Sequence, residues 1–396
     1  MSERVRGFRF AGVHGGIKAS GALDFALLCA DVPAAAAGTF TRNRVRAAPV
    51  TISERRLQRG LCQAILVNSG NANACTGRQG TQDALSLSRA AASALRISPT
   101  LVVPASTGVI GAPLPRAEME SAIPGLIADL SDSGAERFAQ AIMTTDRGPK
   151  TASAELKVGR TVCRVLGIAK GAGMIHPNMA TTLAFVVTDA SVPSAVLSPM
   201  LRQAVESTFN RATVDGDTST NDSIYLLASG RASSRDIGEA SAAGRRFARA
   251  LTEVLESLAK QIVADGEGAE HLVRVEVRGA RTDADAVQIA RTIAGSQLVK
   301  TAIFGCDPNW GRILAAAGRS GARFNPDHVS MTMGDVPIFR DGAPITRAKT
   351  ETRAAAVMKR AEYTITVSVG AGRGIGHYWT CDLGHEYVRI NADYRT

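Results

Sequence analysis

Lys170-Gly171-Ala172-Gly173-Met174-Ile175-His176-Pro177-Asn178-Met179-Ala180-Thr181-Thr182-Leu183-Ala184 is a glycine-rich turn that delivers a small residue and two hydroxyl residues to an apolar run, 183–187. That run predicts a buried strand. A threonine hydroxyl is a poor nucleophile alone, but one at a new N-terminus carries its own general base, because a free α-amine has a pKa of about 8. Cleavage of the Ala180–Thr181 bond by Thr181 itself would create that arrangement. A Thr-Thr pair also suits the opening of an ordinary strand, since β-branched side chains fit the pleat. The pair alone does not decide between these readings.

Working outward, residues 64–68 form an apolar run expected as a buried strand, and a helix is predicted over 81–96, with Thr81 and Asp83 at its start. Residues 101–104 resume extended structure and enter Ser106-Thr107-Gly108. Residues 152–168 alternate about a Val158-Gly159-Arg160 turn, a hairpin signature that leads straight to Lys170. Pro193 and Pro199 bracket a break, with helices predicted over 199–209 and 245–263. The second of these carries Phe247, Leu251, Val254, Leu255, Leu258 and Ile262 on one face. Val273, Val275 and Val277 alternate as a strand, and Thr282-Asp283 caps a helix whose Ala286, Ile289, Ala290 and Ile293 face inward. The tail around Tyr387 to Asn391 reads as a docked, strand-like segment.

The pattern predicts an α+β or layered α/β chain. Three units are expected: an N-terminal core over 1–195, a middle α/β segment over 196–280 and a smaller C-terminal α/β domain over 281–396. A doubly wound nucleotide fold is disfavoured. Neither Gly12 to Lys18 nor the glycines at 171–173 and 370–376 complete a phosphate-binding spacing, and no Gly-x-Ser-x-Gly elbow is present.

The 396 residues suffice for two or three domains, and 45% hydrophobic with 21% charged residues are ordinary globular values. Without an apolar leader or a membrane-length apolar run, a soluble, cytoplasmic protein is expected. The six cysteines are scattered without a Cys-x-x-Cys and read as reduced, mostly buried thiols. His377, Cys381 and His385 come nearest to a metal set, but the residues between them read as strand and turn, so no metal is expected. A net charge of +10 raises the question of nucleic acid, yet the basic residues are dispersed and aromatics are only 5%. An arginine-rich solvated surface that attracts anionic metabolites fits better than nucleic acid or membrane.

Eight strings in one order resemble the ornithine acetyltransferase family, the bifunctional glutamate N-acetyltransferases of arginine biosynthesis. They are Asn68-Ser69-Gly70-Asn71-Ala72-Asn73-Ala74, Ser106-Thr107-Gly108-Val109-Ile110-Gly111, Met143-Thr144-Thr145-Asp146, the run from Lys170 to Thr181, the acidic run from Asp215 to Asp222, Asp265-Gly266-Glu267-Gly268, Gly305-Cys306-Asp307-Pro308-Asn309-Trp310-Gly311-Arg312 and the tail from Tyr387 to Thr396. The resemblance spans essentially the whole chain. It implies the layered α/β sandwich of self-processing acetyltransferases and aminopeptidases. It also implies Thr181 as both processing residue and acetyl carrier, Thr107 and Gly108 as the oxyanion hole, and Thr144, Lys170, Thr181, Glu267, Asn391 and Thr396 as substrate-binding residues. Thr145 would replace Thr144 if the register were one residue out. The motif departs from the commoner family wording at Thr182, where a larger apolar residue usually follows the nucleophile.

Read without the family, these residues have plainer alternatives. Ser106-Thr107-Gly108 reads as a strand-ending turn, Lys170 as a surface lysine, Thr144 as a cap or loop residue and Glu267 as an exposed loop carboxylate. A chain's last six residues normally fray. His176 is not required by the resemblance, and its expected part is in the turn that presents the scissile bond.

The implied reaction needs neither metal nor cofactor. Thr181 would attack the Ala180 carbonyl, giving chains 1–180 and 181–396 that stay together, and would then carry acetyl from N2-acetylornithine to glutamate. Acetyl-CoA is an allowed second donor, and a heterotetramer of two α and two β chains is implied. The rival readings are an N-terminal nucleophile amidohydrolase or aminopeptidase and an uncleaved metabolite-binding protein.

Overall fold

A computed structural model describes residues 4–176, 182–232 and 236–393. Ala180, Thr181 and Thr396 lie outside the described residues.

The strand Leu183–Thr188 is buried along its whole length, because it lies inside a sheet covered on both faces. It pairs antiparallel with Thr161–Lys170 and parallel with Ser223–Ala228. Across this eight-stranded sheet the order is Val102–Val109, Leu61–Asn71, Phe25–Phe40, Ser223–Ala228, Leu183–Thr188, Thr161–Lys170 and Lys150–Val158, with Phe8–Val13 pairing onto Phe25–Phe40. The long strand Phe25–Phe40 breaks register between Cys29 and Ala34, pairing with Leu61–Asn71 before the break and chiefly with Ser223–Ala228 after it.

That irregularity turns the sheet into two layers. Alternation makes the packing legible: Ala26, Leu28, Ile65 and Val67 from one layer share a core with Ile168, Phe185 and Tyr225 from the other. The intervening Leu27, Ala64 and Leu66 pack outward against helices Gly77–Leu95 and Arg116–Ala128. Ala184 and Val186 pack outward on the opposite side, against Ser194–Ser207 and Ala242–Ala264. The result is helix, sheet, sheet, helix, the layered α/β sandwich that was expected.

A second sheet has the order Ala343–Pro344, Val336–Arg340, Ser330–Met333, Glu362–Ser368, Leu272–Ala280 and Gly374–Cys381. Val273, Val275 and Val277 point to one core with Ala286, Ile289 and Ile293 of helix Asp283–Ala294, and Thr282 caps that helix by accepting from Asp285 N at 3.1 Å. The stretch 196–280, read as one middle unit, is divided: Ser194–Ser207, Ser223–Ala228 and Ala242–Ala264 cover or join the first sheet, while Leu272–Ala280 is an inner strand of the second.

Three elements depart from the sequence reading. Helix Ser194–Ser207 begins directly after Pro193 and contains Pro199, because Leu197, Met200, Leu201, Ala204 and Val205 form a buried face that outweighs the lost backbone donor. Helix Gly77–Leu95 starts four residues before Thr81, and Thr76 Oγ1 donates to Asn73 Oδ1 at 2.7 Å just ahead of it. The tail is helix His385–Asp393, not strand. All six cysteines are unpaired, four of them buried. Among the described residues no helix is long and apolar enough to cross a membrane.

Candidate active site

Strand ends from both layers of the first sheet converge on one cavity of about 260 Å³, whose wall includes Thr107, Gly108, Thr144, Lys170, Glu267 and Asn391. Thr107 and Gly108 lie inside strand Val102–Val109, which continues past them to Val109. The parallel pairing with Leu61–Asn71 shifts register at Gly70 and Asn71. Opposite that shift Gly108 has φ +130°, and a Cβ there would overlap the backbone of Gly70 and Asn71. Glycine is therefore required by both conformation and space.

Lys170 ends strand Thr161–Lys170 and is only 8% exposed. Its ammonium donates to Thr144 Oγ1 at 2.6 Å and to Thr107 Oγ1 at 3.3 Å. Burial pushes its pKa down, opposed by the charge of Asp146, with Lys150 lowering it further and Asp222 and Glu267 raising it. A ligand carboxylate placed beside it would favour the ammonium form.

Asp146 holds this corner together, a role the sequence reading missed. Its carboxylate accepts from Thr144 N at 2.9 Å, Gly171 N at 2.7 Å and Lys150 Nζ at 2.6 Å, and lies 3.9 Å from Lys170 Nζ. Burial would raise its pKa, but the two lysines and the bonds it accepts hold it at about 2. Lys150 is held on its far side by Asp265 at 2.5 Å. The signal available in the sequence was Asp146 and Lys150 at four-residue spacing beside Thr144.

Also on the cavity wall, Glu267 follows the long helix Ala242–Ala264, with its N–H donating to Ala172 O at 3.0 Å. A Cβ on Gly173 would overlap the Glu267 carboxylate, so glycine at this position lets the side chain in. Asn391 Nδ2 donates to Glu267 Oε2 at 2.7 Å. Asn391 and Tyr387 lie four residues apart on the C-terminal helix and both line the cavity. The tail is thus docked by its polar face, although as a helix.

The turn 171–176 is clamped from below. Asp215 accepts from Met174 N at 2.5 Å and Ile175 N at 2.8 Å, while Asn221 Nδ2 donates to Ala72 O and Ser106 O at 2.6 and 2.8 Å. Asp222 is 2% exposed, and burial raises its pKa well above the usual carboxylate range. The acidic run therefore serves partly as scaffold for the strand ends. Thr182, on the cavity wall, is buried and its hydroxyl has no hydrogen-bond partner among the described residues.

His176 faces away from this cavity. Its Nε2 accepts from Arg291 Nε at 3.1 Å and Nη2 at 2.7 Å, which leaves Nδ1 to donate to Thr213 Oγ1 at 3.1 Å, and Thr213 in turn donates to Ile175 O at 2.9 Å. Burial, with Arg291 adding to it, lowers the imidazole pKa to about 4. Both ring nitrogens are engaged in holding the turn. Among the described residues no cluster of three or more His, Cys, Asp or Glu side chains is arranged to hold a metal ion.

The ArgJ family model matches residues 9–396 of this chain. The arginine biosynthesis bifunctional protein ArgJ of Syntrophotalea carbinolica is 50% identical over 393 residues, covering 99% of this chain and 100% of its own length. The protein of the same name from Thermosynechococcus vestitus is 49% identical over 406 residues, covering 99% and 97%. The crystal structure of arginine biosynthesis bifunctional protein ArgJ from Bacillus halodurans aligns at 44% identity with a TM-score of 0.51, covering 53% of this chain and 98% of that one.

Proposed function

The chain belongs to the ArgJ family, and from that premise we propose that it is a self-processing acetyltransferase of arginine biosynthesis that moves acetyl from N2-acetyl-L-ornithine to L-glutamate. The observation that carries this reading is the meeting of Thr107, Gly108, Thr144, Lys170, Glu267 and Asn391 on one cavity wall. They come from five separate strings, and local spacing does not require them to meet.

In the proposed reaction Thr181 attacks the Ala180 carbonyl. The N-to-O acyl shift breaks the amide and frees the Thr181 amine, leaving an ester on the Thr181 hydroxyl whose hydrolysis releases that hydroxyl and separates the two chains. That amine then serves as the base while Thr181 takes acetyl from acetylornithine, with Thr107 and Gly108 stabilising the oxyanion. Lys170 and Thr144 bind the amino-acid carboxylate, and Glu267, steadied by Asn391, binds the distal ammonium of ornithine. Thr396 is a further substrate-binding residue in this proposal. Ornithine leaves, glutamate enters, and its amine attacks the acetyl-threonine ester. Acetyl-CoA serves as a second acetyl donor in the bifunctional form of the activity. The processed enzyme is a cytoplasmic assembly of two α and two β chains. The half-length match to the Bacillus halodurans chain supports processing, since cleavage before Thr181 leaves a C-terminal product of just over half the residues.

Intact mass of the purified protein beside Thr181→Ala tests the reading. Two fragments in the wild type, the larger beginning at Thr181, with one 41.4 kDa chain in the variant, are expected. An uncut wild type would remove the N-terminal base from the mechanism. Acetylornithine turnover with and without glutamate then separates the transferase from an aminopeptidase-like hydrolase, because only the transferase requires the second amino acid.

A further inference from the structure

Behind the turn that carries Met174 and Ile175 on the substrate cavity lies a second cleft, of about 720 Å³, which His176 lines together with Arg211, Arg291 and Arg319. None of the three arginines forms an ion pair with a carboxylate among the described residues. Two acids share the cleft, and each accepts one hydrogen bond from elsewhere: Glu206 from Asn210 Nδ2 at 2.7 Å and Asp283 from Ile375 N at 2.8 Å.

Among the described residues Arg211 Nε has no hydrogen-bond partner and is shielded from solvent, and so is the hydroxyl of Tyr378, whose ring lies 6.3 Å from His176. Tyr378 lies within the fields of Arg291 and Glu206, which bound the cleft. The excess positive charge is felt by other groups. Besides burial, Arg291 depresses His176, and Arg274 and Arg211 depress His377, each imidazole to about 4. Three guanidinium groups on one cleft, none ion-paired to Glu206 or Asp283 there, match a ligand rich in negative oxygen atoms. The volume is that of a small-metabolite site.

We propose that the cleft lined by Arg211, Arg291 and Arg319 is a second binding site, distinct from the substrate cavity, for a small metabolite bearing two or more oxyanion charges, drawn from phosphate esters or polycarboxylates. The ligand's oxygens bridge Arg291 and Arg319, with Arg211 on the same wall adding its charge. Because Arg291 also holds His176, the site abuts the segment that leads to Pro177.

Isothermal titration of the purified full-length protein with pyrophosphate and, separately, with citrate, in dilute chloride buffer, tests this. Saturable binding of at least one anion is expected, weakened tenfold or more in the Arg291→Gln/Arg319→Gln variant and by 150 mM salt, and retained in Lys170→Met. Binding of pyrophosphate alone assigns a phosphate ligand and of citrate alone a polycarboxylate, while binding of both assigns an oxyanion site without discrimination. If the double variant fails to fold, Arg319→Gln alone, at an exposed residue, is expected to weaken binding several-fold. Heat from neither anion would overturn the proposal, as would binding that Lys170→Met abolishes and the arginine variants leave intact.

Discussion

Asp146→Asn is a nearly isosteric change that should disable the corner around Lys170. All four groups around the carboxylate are donors or cations: Thr144 N, Gly171 N, Lys150 Nζ and Lys170 Nζ. An amide has one acceptor end and one donor end, so whichever way it is turned its NH2 meets at least one N–H or ammonium. Losing one partner of a buried ion pair costs about 3–5 kcal/mol. Lys150 keeps Asp265 at 2.5 Å, which places the expected loss near the lower end, about 3 kcal/mol. Thr144 would shift with its released N–H, moving the hydroxyl that receives the Lys170 ammonium. A displacement of that kind is worth up to about a hundredfold in rate. Urea unfolding by circular dichroism and steady-state acetyl transfer measure the two effects. Unfolding within about 1 kcal/mol of wild type, together with unchanged kcat/KM, would refute the reasoning.

Gly108→Ala combines a positive φ with backbone overlap at Gly70, so it should lower the acetylation rate by about a hundredfold or more, read by rapid-quench trapping of the acetyl-enzyme. Glu267→Gln should raise KM for acetylornithine about tenfold or more while leaving self-cleavage intact; unchanged KM would separate this carboxylate from the distal ammonium. His176 and His377 fold with pKa values of about 4, set first by burial and then by neighbouring arginines. Both lie below the unfolded value of about 6.5, so their contribution is complete above that pH and is lost as pH falls from 6.5 towards 4. Melting temperatures across that window should therefore fall with acid, and less steeply in His176→Asn.

What the sequence makes legible follows from period and chemistry. The strand at 183–188, the hairpin at Gly159 and the face of Ala242–Ala264 each repeat apolar residues at the spacing their burial demands. The tail misleads because Tyr387-Val388-Arg389-Ile390-Asn391 alternates like a strand, whereas its conformation is accompanied by contacts 124 residues away, from Asn391 to Glu267. Pro199 misleads because local propensity is outweighed by a buried helical face. In the site, residues within recognisable strings could be named, but Asp146 and Asn221 act by accepting from or donating to distant backbone, which no local spacing displays. Gly108 looked like the end of a strand because its special conformation is a register shift against Gly70.

The order of strands in the first sheet has a consequence for a chain cut before Thr181. Leu183–Thr188 and Ser223–Ala228 would belong to the C-terminal product, yet they lie between Phe25–Phe40 on one side and Thr161–Lys170 on the other, both from the N-terminal product. Each product would interleave with the other like fingers of two hands. Neither could withdraw without unzipping two hydrogen-bonded seams, and the N-terminal product alone would have a gap two strands wide. Folding would then have to precede scission, and the two halves would hold to each other through both seams.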